Sequence, residues 1–128
     1  MGVSTTAMLF FGVLIEGGSK LESSIRYDEK EAEQDPSYDK AHPLAYLWWL
    51  GRPEDGVRIV EHCSPVEPMY AIAIEDSLLT AIRGYPQVLP TGPSPQKHDE
   101  WVAKLKSFCE KYKIPCEKME WYIVSWWG

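Results

Sequence analysis

The sequence places a base beside a thiol at one position, His62-Cys63. A catalytic cysteine needs a histidine close in space, but neighbours on a strand point to opposite faces of a sheet. Residues 57–63 alternate like a half-buried strand, so the adjacency argues against a catalytic pair. We therefore expect Cys63 to be an ordinary buried thiol.

Two glutamates, Glu61 and Glu75, could face each other across paired strands. Residues 69–75 predict a second strand, and strands close in sequence usually pair antiparallel. A carboxylate pair performs acid–base chemistry only where its two pKa values are pushed apart, so we expect solvated or salt-bridged side chains. An enzyme built on Glu61, His62 and Glu75 stays an alternative, and it requires these groups to converge in one cleft.

No metal or phosphate motif is present. The candidate ligands His62, His98, Cys109 and Cys116 show neither C-x-x-C nor H-x-x-x-H spacing. The Gly-Gly-Ser-Lys stretch at residues 17–20 lacks the glycine spacing of a phosphate loop, and it indicates a plain turn. The sequence thus predicts no metal, no cofactor and no catalytic residue.

The aromatic residues carry a stronger signal. The chain of 128 residues has six tryptophans and seven tyrosines, with two adjacent pairs, Trp48-Trp49 and Trp126-Trp127. Strand geometry turns one member of such a pair inward and the other outward. Exposed tryptophan is typical of protein interfaces and of platforms for flat ligands. We predict these four tryptophans as binding residues.

The charge balance selects among partners. Thirteen basic and nineteen acidic residues give 13 − 19 = −6. This charge disfavours nucleic acid and membranes, and it favours a protein with a basic surface. Residues 22–39 are rich in acids and predict a surface insertion at about residues 17–40, with a short exposed helix over 27–34. Four of these acids are predicted to dock onto a basic groove: Asp28, Glu29, Glu31 and Glu33.

The remaining pattern predicts one α+β domain over residues 1–128. It has a mostly antiparallel sheet, a C-terminal amphipathic helix packed on that sheet, and a final tryptophan-rich strand. The helix begins at Ser94 and Pro95, which suit the N-cap and first-turn positions, and Pro115 ends it. Residues 4–16 predict a strand in which Gly12 marks a bulge or a close backbone approach.

Two short segments are ambiguous between helix and strand. Residues 41–51 favour a helix, whereas residues 77–83 fit either structure. The last strand, residues 118–127, is apolar on both faces, which is unusual for an exposed edge. It is therefore central, covered by a helix, or part of an interface, and it can join two copies of the chain. Its edge is the first expected functional surface.

The cysteine count predicts a reducing compartment, because three cysteines leave one unpaired. The apolar segment at residues 7–15 has no basic residue before it, unlike a signal peptide, and it is too short to span a bilayer. We expect a cytoplasmic protein.

Both ends of the chain, residues 1–12 and 121–128, together with Phe108-Cys109-Glu110, resemble small uncharacterised proteins encoded by tailed bacteriophages and prophages. The resemblance implies an accessory protein made in the cytoplasm of an infected bacterium. Small acidic proteins in that setting often inhibit host enzymes or defence systems. It carries over no activity and no functional residue.

These observations lead to one main functional expectation, a small non-enzymatic binding or inhibitor protein that acts by protein contacts. The first alternative is a protein that binds or sequesters a small nucleotide-like aromatic ligand by stacking. The second is the enzyme described above.

Overall fold

A computed structural model describes residues 5–25, 34, 37 and 43–128 of the chain. It confirms the α+β class, with a mostly antiparallel five-stranded sheet and a C-terminal helix packed on it. The strands are β1 (Thr5–Leu14), β2 (Val57–Cys63), β3 (Pro68–Ile74), β4 (Leu79–Ile82) and β5 (Glu120–Trp127). The helices are α1 (Lys20–Ile25), α2 (Pro43–Leu50) and α3 (Pro95–Tyr112), with a 3-10 turn at Glu75–Ser77.

The sheet is organised around β1. One edge of β1 pairs antiparallel with β5, and the other edge pairs with β4 in its first half and with β3 near its end. Strand β2 pairs antiparallel with β3, as predicted, and meets β5 at a single parallel bridge between Cys63 and Trp126. The pairings therefore close a circuit from β1 through β5, β2 and β3 back to β1.

Gly12 lies where β1 passes from β4 to β3. A Cβ atom at this position would lie 1.9 Å from the carbonyl oxygen of Ile72 on β3. Strands β1 and β3 can therefore approach each other this closely only because Gly12 has no side chain. The predicted close backbone approach is confirmed. Just before it, the Phe11 N–H donates a 2.9 Å hydrogen bond to Ser77 Oγ in the gap between β3 and β4.

The core has two layers because the strands alternate. On β3, Tyr70, Ile72 and Ile74 face the helices, whereas Ala71 and Ala73 face a smaller inner cluster. This division of β3 confirms the predicted one. The helices contribute Ile25, Leu44, Trp101, Leu105 and Phe108 to the larger layer. Phe10 and Val60 fill the inner cluster, with Tyr122 and Val124 packed against it.

Helix α3 follows the prediction at both ends. Ser94 Oγ accepts a 3.2 Å hydrogen bond from the Lys97 N–H, and Pro95 begins the helix. The helix ends at Tyr112, where Lys113 adopts a left-handed conformation two residues before Pro115.

The two ambiguous segments are now assigned. Residues 43–50 form a helix, as favoured, and within residues 77–83 the structure has the short strand β4. The predicted exposed helix at 27–34 lies almost wholly outside the described residues. Within the described parts of the chain, no helix is long and apolar enough to cross a membrane.

Candidate functional site

Strand β5 presents two unlike faces. Tyr122, Val124 and Trp126 are half-buried toward the inner cluster, whereas Ile123 and Trp127 are 75% and 59% exposed on the other face. This alternation confirms the predicted division of the strand. One edge of β5 is paired with β1 along Thr5–Gly12, and the other edge is bridged to β2 at Trp126. The edge of β5 as a functional surface stays a prediction, and the exposed apolar side chains of the strand lie on the face of Ile123 and Trp127.

The exposed face of β5 continues across β1 and β4. Residues opposite each other in an antiparallel pair share a face, and Leu9 lies opposite both Ile123 and Leu79. The members of this surface that lie within the three strands are uncharged, and we call it the open face. Its members are Thr5, Ala7, Leu9, Leu79, Ala81, Ile123, Ser125 and Trp127. Arg83, one residue beyond β4, is exposed and lies at its margin opposite Thr5, since its N–H donates a 3.0 Å hydrogen bond to the Thr5 carbonyl.

Of the described helices, α3 lies nearest the open face, and it covers only the neighbouring end of that surface. Trp101 of α3 packs edge-on against Trp121, with ring centroids 5.9 Å apart, and lies 6.1 Å from Phe11. His98 closes on the same Phe11 ring at 5.1 Å. Trp121 itself is 39% exposed and marks the limit of the helix cover.

The predicted tryptophans do not form one site. Trp127 is on the open face, whereas Trp126 is half-buried beside the bridge to β2. Trp48 is half-buried and packs edge-on against Tyr70, with centroids 6.1 Å apart. The structure does not describe the side chain of Trp49. Stacking of a nucleotide-like ligand stays a prediction, with Trp127 as the exposed member.

The predicted acidic site falls largely outside the described residues, which include none of Asp28, Glu29, Glu31 and Glu33. Glu22, the first acid of the segment, is only 6% exposed. Its Oε2 accepts a 3.1 Å hydrogen bond from the Gly18 N–H, and its own N–H donates to Ser19 Oγ. Ser19 and Glu22 therefore cap the start of α1 together, and the buried Glu22 adds nothing to an exposed acidic surface.

The residues of the enzyme alternative do not converge. Glu61 lies opposite Tyr70, whereas the Glu75 N–H bonds to Gly56, five positions or about 17 Å away along β2. Glu61 and Glu75 therefore do not face each other, and the alternative that required this arrangement is not supported. Glu75 instead forms a bidentate ion pair with Arg58, which confirms the expected salt bridge for this side chain.

Burial shifts the two neighbouring groups on β2 in opposite directions. Partial desolvation raises the pKa of Glu61 and lowers the pKa of His62, where the charge of Glu22 acts weakly in the other direction. Both shifts favour the neutral form. The two side chains lie on opposite faces of β2, because their strand partners are the consecutive residues Tyr70 and Met69.

The three cysteines are free thiols in different environments. Cys63 is half-buried rather than buried, and it adopts a left-handed backbone conformation, φ 75°, at the end of β2. Cys109 is buried, and desolvation, with a hydrogen bond to Cys116, raises its pKa to about 12. A thiol with such a pKa is protonated at neutral pH and nucleophilically weak. The described residues also hold no group of three or more His, Cys, Asp or Glu side chains arranged for a metal.

Leu9 and Leu79 are the open-face residues that sequence patterns missed. The alternation of residues 118–127 places Ile123 and Trp127 on one face of the strand, but no local signal showed that this face is exposed or paired it with β1 and β4. Comparison of the chain with protein-family models, with curated proteins and with solved structures finds no match. Its own residues are therefore the basis for assigning a function.

Proposed function

We propose that this chain is a small non-enzymatic binding protein that acts by protein contacts through the open face. The observation that carries the proposal is a mainly apolar surface that spans three strands, with Ile123 75% and Trp127 59% exposed. Contiguous exposed apolar surface on a small domain marks an interaction site. Tryptophan is among the residues that most often anchor protein interfaces.

Charge defines the kind of partner. The chain carries a formal charge of −6, whereas the open face is mainly apolar, with the exposed Arg83 at its margin. A protein with an apolar patch surrounded by basic residues fits both properties, because long-range attraction accelerates encounter and apolar contact then holds the complex. The acidic segment at residues 22–39 would add to this attraction.

The resemblance of both chain ends to phage and prophage proteins supports an accessory role in the cytoplasm of a bacterial host. In that setting the partner would be a host enzyme or a defence protein, and binding would inhibit it. The protein would then act as an antagonist, with no catalysis of its own.

The test is partner capture from bacterial lysate with two matched lysine variants. Ile123→Lys puts a charge on the open face, whereas Thr80→Lys puts one on the opposite, exposed face of β4. Both positions are exposed, so we expect both variants to unfold like the parent chain, within about 0.5 kcal/mol.

The parent chain and Thr80→Lys should retain the same protein, and Ile123→Lys should bind it at least about 10-fold more weakly. The captured protein should also elute earlier with added salt, as a basic partner of an acidic chain would. If Ile123→Lys retains the partner as well as Thr80→Lys does, the open face is not the contact surface.

A further inference from the structure

A cleft of about 410 Å³ lies beside the C-terminal end of β1. The open face lies near the N-terminal end of the same strand. The end of β1 and α1 form one side of the cleft, and the connection from α3 to β5 forms the other. Its apolar wall includes Leu14, Leu21, Ile114 and Pro115. Clefts of this size with a few polar groups are typical of ligand sites.

The cleft exists because two strand pairings end at different places. The pairing of β1 with β5 ends at Gly12 opposite Glu120, whereas β1 remains paired with β3 as far as Leu14. Continuing the first ladder would bring Lys118 opposite Leu14. The carbonyl of Lys118 instead accepts a 2.9 Å hydrogen bond from the Tyr122 hydroxyl.

This arrangement leaves a strand edge inside the cleft. The Ile15 N–H donates a 3.0 Å hydrogen bond to the Tyr70 carbonyl, so the backbone groups of Ile15 point toward β3. Backbone groups alternate between the two edges of an antiparallel strand, and those of Leu14 therefore point the other way, into the cleft. Among the described residues, no strand lies opposite Leu14 on that edge.

The charged groups of the cleft favour a cationic ligand. Glu16 lies on the β1 side and Glu117 on the side of the connection, and both are exposed. Among the described residues that line the cleft, Lys118 is the one basic residue, so the two carboxylates of the cleft outnumber its ammonium group. An anionic ligand would be disfavoured by this balance.

We propose that the cleft binds an extended peptide segment, which adds to β1 as a short strand at Leu14. One apolar side chain of the peptide would contact Leu21, Ile114 and Pro115, and basic flanking residues would approach Glu16 and Glu117. Main-chain hydrogen bonds provide affinity in such strand addition, and side-chain pockets provide specificity. This proposal uses residues outside the open face, so it stands or falls independently of the function proposed above.

The test uses pentapeptides of the form Lys-Thr-X-Thr-Lys, acetylated and amidated, with Leu, Ile or Phe at the centre. Each is titrated into isotope-labelled protein while the amide resonances are followed by NMR. At least one peptide should bind and shift the Leu14 amide together with those of Leu21 and Ile114. If all three peptides leave the Leu14 amide unchanged at millimolar concentration, or shift the resonances of the open face instead, the proposal is wrong.

N-methylation of the peptide separates strand addition from apolar contact. In an extended peptide, the N–H groups of adjacent residues point to opposite edges of the strand. A methyl group on the peptide nitrogen that faces Leu14 removes a hydrogen bond to the protein and should lower affinity about 10-fold. A methyl group on the neighbouring amide should change affinity by less than about 2-fold, because it removes no hydrogen bond to the protein. Equal effects of the two methyl groups would contradict pairing at Leu14.

Protein variants test the charge and the location. The double variant Glu16→Gln with Glu117→Gln should weaken binding of the lysine-flanked peptide about 3-fold, in keeping with exposed ion pairs. Glutamate-flanked peptides should bind more weakly to the parent chain. Ile123→Lys should leave peptide binding unchanged, and a loss of binding in that variant would assign the peptide to the open face.

Discussion

The two halves of the β1–β5 ladder use the same kind of residues on the same face, yet they differ in what covers them. In the covered half, Phe11 is 3% exposed beneath Trp101 of α3. In the open half, two residues further along the ladder, Ile123 is 75% exposed. A continuous apolar pattern can therefore stabilise the fold at one end of a strand and remain available for binding at the other.

The limit between the halves is set by where α3 begins. An ion pair of 3.9 Å between Lys97 and Asp76 links the first turn of α3 to the 3-10 turn that separates β3 from β4. The helix then runs over β3 and β2, away from β4. Because the cover starts at the level of Phe11, none of the described helices lies over the ladder positions beyond it.

The largest expected difference between the halves is the cost of removing a side chain. Phe11→Ala should lower the free energy of unfolding by about 3–5 kcal/mol, because it leaves a cavity beneath Trp101. Ile123→Ala should change it by less than about 0.5 kcal/mol, because the side chain is already in water. Urea unfolding measures both values. Similar losses in the two variants would mean that the open face is covered in the free protein.

The next largest effect concerns Gly12, at the end of the paired ladder. Gly12→Ala would place a Cβ 1.9 Å from the Ile72 carbonyl oxygen, so β1 and β3 must separate. We expect a loss of about 3 kcal/mol, at the upper end of overpacking penalties.

Gly92→Ala is the matched control, because a Cβ there would have nothing within 4 Å and its backbone conformation suits any residue. Its stability should stay the same or rise by about 0.5 kcal/mol. Equal stabilities for the two variants would show that β1 and β3 tolerate separation at Gly12.

Local patterns predicted the elements whose physical cause is also local. The cap at Ser94, the 3.6-residue period of α3 and the alternation of β5 each arise from neighbours in sequence. The pairing of β2 with β3 was predictable for the same reason, since a short connection brings the two strands together.

The open face could not be predicted, because it depends on pairing between distant segments. Leu9 and Ile123 are more than a hundred residues apart in the chain, and their register follows from how the whole sheet closes. Glu22 was misread for a related reason. Its sequence context is acidic and polar, but Glu22 is buried in the folded turn, where its carboxylate accepts a hydrogen bond from the Gly18 N–H.

The smallest of the three effects tests a buried polar residue that the sequence did not single out. Ser77 Oγ accepts from the Phe11 N–H at 2.9 Å and donates to the Ile74 carbonyl at 2.7 Å, joining the covered half to the 3-10 turn. Ser77→Ala leaves the Phe11 N–H buried without that acceptor and should cost about 1–3 kcal/mol. Ser125→Ala, on the open half, should cost almost nothing, because Ser125 is exposed.

Amide hydrogen exchange at Phe11 gives the finer readout, since losing the Ser77 bond should speed exchange there while exchange at Ile123 stays unchanged. If exchange at Phe11 were unaffected, Ser77 would not hold β1 against the turn, and the start of α3 would have to be fixed by the Lys97–Asp76 pair and the packing of Trp101.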